Sequence, residues 1–144
     1  MMLKLTELAP ETTESDDAVT LPFDSRQKCR LFGRTDKGRE VGIFLPRGQA
    51  IKHGYVLKGL DGYNVRVKAA AEALSIVRTD DTLLFARACY HLGNRHIPLQ
   101  IMPGELRYQA DHVLDQMLEG LGLSVKHQAL PFEPEHGAYH QHGH

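Results

Sequence analysis

The sequence has almost no excess charge of either sign, few cysteines and no long apolar run. Its 17 Lys and Arg against 18 Asp and Glu leave a formal charge of -1, which argues against bulk electrostatic binding to nucleic acid or to an anionic membrane. No stretch approaches the roughly 20 apolar residues needed to span a bilayer. The opening MMLKLTELAP also lacks the apolar segment of a secretory signal. The expectation is a cytoplasmic protein with neither membrane nor nucleic acid as a partner. Cys29 and Cys89 stand far apart without CxxC spacing, so neither a disulfide framework nor a thiolate zinc site is indicated. Both read as buried, inert thiols.

What is present is a globular composition, 42% hydrophobic and 24% charged, over 144 residues. That is room for one ordinary domain or two small ones. Residues 1–20, with Glu7, Glu11, Glu14, Asp16 and Asp17 around Pro10, read as a polar loop. From Leu21 to Lys68, RQKCRLF, REVGIFLP, GYVLKG and YNVRVK alternate as strands do, with Gly33, DKG, PRG and LDG between them. Tyr63, Val65 and Val67 face one way behind the Asp61-Gly62 turn pair. AAAEA at residues 69–73 breaks that rhythm, which sets a boundary near residue 72.

Beyond it the order reads strand, helix, strand, strand, helix, strand. LSIVR is the first strand, and Thr79, Asp80 or Asp81 caps a helix with Leu83, Leu84, Ala88 and Leu92 on one face, ended by Gly93. IPLQIM and ELRY flank the Pro103-Gly104 turn. Asp111 caps a second helix carrying Val113, Leu114, Met117, Leu118 and Leu121, with Gly122 just past its end. LSVKHQAL closes a βαββαβ series, the ferredoxin-like arrangement. The expected architecture is therefore α+β: a small β-rich domain over 1–72, a ferredoxin-like metal-binding domain over 73–131, and a disordered His-rich tail over 132–144.

Nine histidines are the compositional anomaly, and four of them, His136, His140, His142 and His144, fall in the last nine residues. Interleaved with Gly, Tyr and Gln, they suit Ni, Cu, Zn and Co without rigid geometry. A tether holds such ligands at an effective concentration of order mM around a folded site. In the stretch ACYHLGNRH, residues 88–96, Cys89 and His91 point to nearly opposite sides of a helix turning about 100° per residue, which excludes an intrahelical chelate. His91 fits the helix C-terminal dipole equally well as a plain end residue. His96 follows a tight turn and stands alone. One imidazole cannot hold an ion, but a second copy across a two-fold axis supplies the next ligand. His112, in the first turn of the second helix, is biased toward the neutral, ligand-competent form by the electropositive helix N-terminus. A solvent-facing role serves it equally, and His53 and His127 are assigned no ligand role.

Three function classes follow from these residues. The first is a metal carrier anchored at His96 and its symmetry mate. The second, a metal hydrolase using His91, His96, His112 and Asp111, is disfavoured because no ligand pair has helical i, i+4 spacing and no general base accompanies an open coordination position. The third is a protein or RNA interaction module using the basic strand RQKCR, where Arg26, Lys28 and Arg30 share a face.

YHLGNRHIPLQI followed by ELRYQADHVLDQMLEGLGL resembles the UreE family of urease accessory proteins, over about Cys29 to Leu130. The resemblance implies a non-enzymatic cytosolic nickel metallochaperone. It implies a homodimer that delivers Ni(II) to the urease apoprotein complex together with an accessory GTPase. Two such dimers facing each other would offer four His96 imidazoles, so a metal-linked tetramer is the alternative assembly, whereas one dimer must borrow ligands from the tail. The resemblance also implies that the N-terminal domain, over 1–72, is a peptide- or partner-binding module, that His96 is the interface ligand from each subunit, that His112 matches a secondary site used by some members, and that the tail histidines bind additional metal. Some members place a further His where this chain has Ala110. The choice of Ni(II) over Cu(II), Zn(II) or Co(II) rests on the resemblance, since raw affinity order favours Cu over Ni. A general transition-metal binding or storage protein is the alternative.

Overall fold

The computed structural model describes residues 2–136. Among them the chain divides into two compact units that meet in sequence between Ala70 and Ala71. It is a mixed α+β protein in which strands predominate.

The first unit is a six-stranded sheet built from β1 (Leu3–Ala9), β2 (Asp17–Leu21), β3 (Arg30–Arg34), β4 (Glu40–Phe44), β5 (Val56–Gly59) and β6 (Asn64–Ala69). The strands lie in the order β2-β6-β5-β1-β4-β3. The two N-terminal strands correct the polar-loop reading of residues 1–20. β1 sits inside the sheet, parallel to β4 and antiparallel to β5, and β2 runs parallel to β6. Leu3, Leu5 and Ala9 turn inward while Lys4 and Glu7 face out, so the carboxylates counted in this stretch, Asp17 excepted, belong to solvent faces and connections. Leu5, Val41, Ile43, Leu57, Val65 and Val67 form the centre of the core.

β5 and β6 make the hairpin that the Asp61-Gly62 pair anticipates, with Gly62 at φ 84°. A Cβ on Gly59 would come within 2.5 Å of the Tyr63 carbonyl oxygen, so this hairpin closes only over a glycine. Two polar hubs fix the edges. Arg66 donates to the carbonyls of Glu11, Thr13 and Gly54 and to Ser15 Oγ, pinning the β1–β2 connection. Buried Asp17 accepts from Tyr63 Oη at 2.9 Å and from the Lys37 amide. Burial opposes its ionisation, but hydrogen bonds from Thr35, the Ala18 amide and Tyr63 prevail and hold the carboxyl below its usual range.

RQKCR is not a continuous strand. Pro22 precedes a single helical turn, α1 (Phe23–Arg26), with Asp24 in its first turn, and Lys28 lies in the connection to β3. Arg26 is buried, 3% exposed, and its Nε donates to the Leu21 carbonyl at 3.2 Å. It therefore cannot share a solvent face with Lys28 and Arg30, and the basic-strand premise of an RNA-binding module loses its first residue. Replacing Arg26 with alanine should destabilise the first unit by about 1–3 kcal/mol, from a charge-assisted buried hydrogen bond and lost packing. Arg30→Ala should change stability by less than about 0.5 kcal/mol. Urea titrations of the two variants check this, and equal losses would count against it.

The second unit contains β7 (Ala71–Arg78), α2 (Thr82–Gly93), β8 (Gln100–Met102), β9 (Glu105–Gln109), α3 (His112–Gly120) and β10 (Val125–Pro131). Its sheet is antiparallel throughout, in the order β10-β7-β9-β8. Ala71 to Ala73, read as a break, are strand residues paired with β10. β7 begins there because the partner strand, not side-chain branching, supplies the hydrogen bonds. Ala88 and Leu92 of α2 and Leu114 and Leu118 of α3 pack with Val77, Leu106 and Tyr108 of the sheet. Leu83 and Val113, expected on those helix faces, are 60% and 51% exposed. Each lies one residue, about 100°, off the buried stripe.

Candidate functional site

Helix α2 begins where the Asp81 side chain accepts the Leu84 amide, and its C-cap is Asn94. The exit is a succession of tight turns in which the amides of Asn94, Arg95 and His96 donate to the carbonyls of Tyr90, Leu92 and Gly93. Gly93 is the last helical residue rather than the residue that reverses the chain. That conformation falls to His96, the only non-glycine residue with positive φ among those described, at φ 55°. Left-handed backbone disfavours a β-carbon, though His tolerates it better than most residues. The consequence is geometric. His96 is exposed at the tip of the turn, two residues before Pro98, while Leu92 behind it is fully buried. No described residue hydrogen-bonds its imidazole. His91 lies half-buried in the last turn of α2, its ring 5.3 Å from that of Tyr90 in an edge-on arrangement.

On α3 the Asp111 carboxylate caps the amides of Val113 and Leu114. His112 is exposed in that first turn and lines an open depression of about 500 Å³ with Asp111, Asp115 and His127. Below it lies a polar cluster that the sequence did not announce. His127 of β10, Ser75 of β7 and Tyr108 of β9 stand on one rung of the sheet, and Asp115 descends on them from α3. Its Oδ1 accepts from Ser75 Oγ at 2.7 Å and Tyr108 Oη at 2.6 Å, while Oδ2 lies 2.7 Å from His127 Nε2. Burial raises the Asp115 pKa, yet the hydrogen bonds from Tyr108, Ser75 and His127 outweigh it and leave the carboxyl below its ordinary value. Burial and that same carboxylate push the Tyr108 phenol well up. His127, assigned no role from sequence, thus has a carboxylate partner. His53 has a backbone partner instead, its Nδ1 accepting the Ala69 amide at 2.9 Å. Neither link was legible, because the partners are 12 and 16 residues away.

The structure brings His112 and His127 to one depression, and places His91 and His96 at the end of the other helix. Among the described residues, no three His, Cys, Asp or Glu side chains converge as a metal-ligand group. The start of the expected disordered tail is instead packed, with Phe132 fully buried and the Glu133 and Glu135 amides donating to Gln100 Oε1 and the Leu99 carbonyl, while His136 is exposed. Residues 137–144, with His140, His142 and His144, lie outside the described residues. Cys29 and Cys89 are half-buried rather than fully buried, and burial pushes the Cys89 thiol up, which keeps it protonated. No helix among the described residues is long and apolar enough to cross a membrane.

Residues 3–70 match the family model of the UreE urease accessory protein N-terminal domain, and residues 72–144 match that of its C-terminal domain. Over 138 residues the chain is 58% identical to the urease accessory protein UreE of Alkalilimnicola ehrlichii, covering 96% of this chain and 85% of that protein. It is 49% identical over 148 residues to the UreE of Escherichia coli O157:H7, covering 99% and 96%, and 55% identical over 139 residues to that of Pseudomonas putida, covering 96% and 86%. The chain belongs to the UreE family of urease accessory proteins.

Proposed function

We propose that this protein is a cytoplasmic, non-enzymatic nickel metallochaperone that carries Ni(II) as cargo to apo-urease during assembly of the urease active site. In this reading it works as a homodimer, with metal held where His96 of each subunit meets its mate. The observation that carries the proposal is the His96 turn, an exposed imidazole on a left-handed residue at the rigid end of a packed helix. Neutral imidazole is a ligand for Ni(II), and equally for Cu(II), Zn(II) and Co(II) in vitro. A two-fold axis through the turn doubles one imidazole to two. His91 and the tail residues His136, His140, His142 and His144 are the further ligands that complete the shell, and His112 belongs to a secondary site.

The division we adopt is a partner-binding domain, a metal domain ending at 131 and a His-rich tail over 132–144, with the first boundary at Ala70–Ala71 rather than at residue 72, since a cut at 72 falls inside β7. The antiparallel order β10-β7-β9-β8 with both helices packed in one core supports a ferredoxin-like second domain. Lys28 and Arg30, both exposed, are the cations left to meet a partner such as the urease apoprotein complex or its accessory GTPase.

Stoichiometry and transfer test this proposal. Equilibrium dialysis with light scattering should find one tight Ni(II) per two chains, and the loaded protein should activate apo-urease in the presence of a chelator that blocks activation by free nickel. One tight ion per monomer, or no activation above the chelated control, overturns it.

A further inference from the structure

The most exposed aromatic ring among the described residues of the first unit takes no part in the metal site proposed above. Phe32 is 69% exposed on β3, the last strand of its sheet. It sits opposite Gly42, and its ring meets that of Phe44 edge-on at 5.9 Å. Gly42 makes this surface, since a Cβ there would lie 2.8 Å from the Phe44 ring. Arg30, directly across from Phe44, places its guanidinium 5.3 Å from that ring. Lys28, just ahead of β3, and Arg47, just beyond β4, are exposed at the same end of the pair. Arg34, at the other end, is already engaged by Glu40 at 3.0 Å. Glu40 is also the only carboxylate in β3, β4 and these flanks.

The backbone adds a direction. Cys29 accepts the Leu45 amide and Thr35 donates to the Arg39 carbonyl, so odd-numbered residues of β3 pair with β4. The amides and carbonyls of Arg30 and Phe32 therefore point away from β4, at an edge of the sheet that no described strand covers.

We infer that the Arg30–Phe32 edge of β3 is a docking site for an extended acidic segment of a partner protein, joined as an added strand with an apolar side chain against Phe32 and Phe44. Carboxylates of that segment meet Lys28, Arg30 and Arg47. An added strand uses the outward amides and carbonyls, which a nucleic acid cannot pair in register, and the local charge selects acidic segments over basic ones. The inference rests on the reading of this unit as partner-binding and specifies its surface.

A fluorescein-labelled peptide alternating glutamate with leucine and phenylalanine is the probe, followed by anisotropy on the full chain. Saturable binding that weakens about tenfold or more in Phe32→Ala and in Arg30→Glu is expected. The same peptide with N-methylated alternate amides should bind much more weakly, as strand addition requires. The inference is overturned if the peptide fails to bind, or if Phe32→Ala binds it unchanged. It is equally overturned if a uridine oligonucleotide binds more tightly at the same residues, or if Phe32→Ala instead abolishes self-association of the chain. Nickel stoichiometry on the same samples separates the two proposals. Lost peptide binding with nickel retained in Phe32→Ala supports the surface, and failed nickel binding with intact peptide binding counts only against the metal cargo.

Discussion

Asp115→Ala should lower the stability of the second unit by about 3 kcal/mol, a large share of what a small domain has. Magnitudes decide which contact matters. The His127 side chain is 63% exposed, so its bond to Asp115 is screened and contributes modestly. Tyr108 and Ser75 are both 0% exposed, and removing the acceptor they share strands two buried hydroxyls at about 1–3 kcal/mol each. His127→Ala should therefore cost well under half as much. Asp115→Asn, which keeps one acceptor oxygen, should fall between them.

The pH dependence has a definite sign. Asp115 is held below its unfolded value of 3.8 when folded, so its contribution is complete above the ordinary carboxylate range and is lost as pH falls below about 4 through the folded value. Tyr108 is raised from 10.0, so its contribution is present below pH 10 and is lost on further alkalinisation. Hydrogen exchange at β7, β9 and β10 amides across pH reads both limbs. In Asp115→Asn the acid limb should flatten, and an acid limb equal to the wild type would sink the assignment.

His96→Gly should separate metal binding from backbone strain. Both His96→Gly and His96→Ala remove the imidazole, and tight Ni(II) binding should weaken more than about a hundredfold in each, since even outer-shell substitutions cost ten- to a hundredfold. Stability moves differently. At φ 55° a glycine adopts the backbone without the steric penalty of a β-carbon, so His96→Gly should equal or exceed the wild type by roughly 0.5–1 kcal/mol, whereas alanine gains nothing. Calorimetry for nickel and thermal melts of the apo proteins check the pair. Retained tight binding in either variant would remove His96 from the metal site, and a destabilised glycine variant would deny that the turn is strained.

Legibility of the sequence followed the range of the contacts involved. β6 shows its alternation within the strand, β4 and β5 show short apolar runs between turn residues, and Asp81 and Asp111 announce their helices two or three residues ahead of the amides they accept. β1 was hidden because Glu7 and its acidic neighbours dominate the composition, while Leu3 and Leu5 carry the packing. Arg26 misled because a single helical turn after Pro22 interrupts a period-two pattern that otherwise runs into β3. At the site, the isolation of His96 was visible but its left-handed backbone was not. Asp115 drew no attention because its partners, Ser75 and His127, lie 40 and 12 residues away and meet it only after the sheet has formed.

Chain order and sheet order also disagree in a way that bears on biosynthesis. Among the described strands β1 leaves the ribosome before the others, yet it lies inside the sheet and must wait for β4 and β5, while β2 waits for β6. β7 likewise has no described neighbour on one side until β10 emerges. Neither unit can close around a growing chain, so each is left to fold nearly all at once from a nascent polypeptide whose earliest strands stay unpaired the longest.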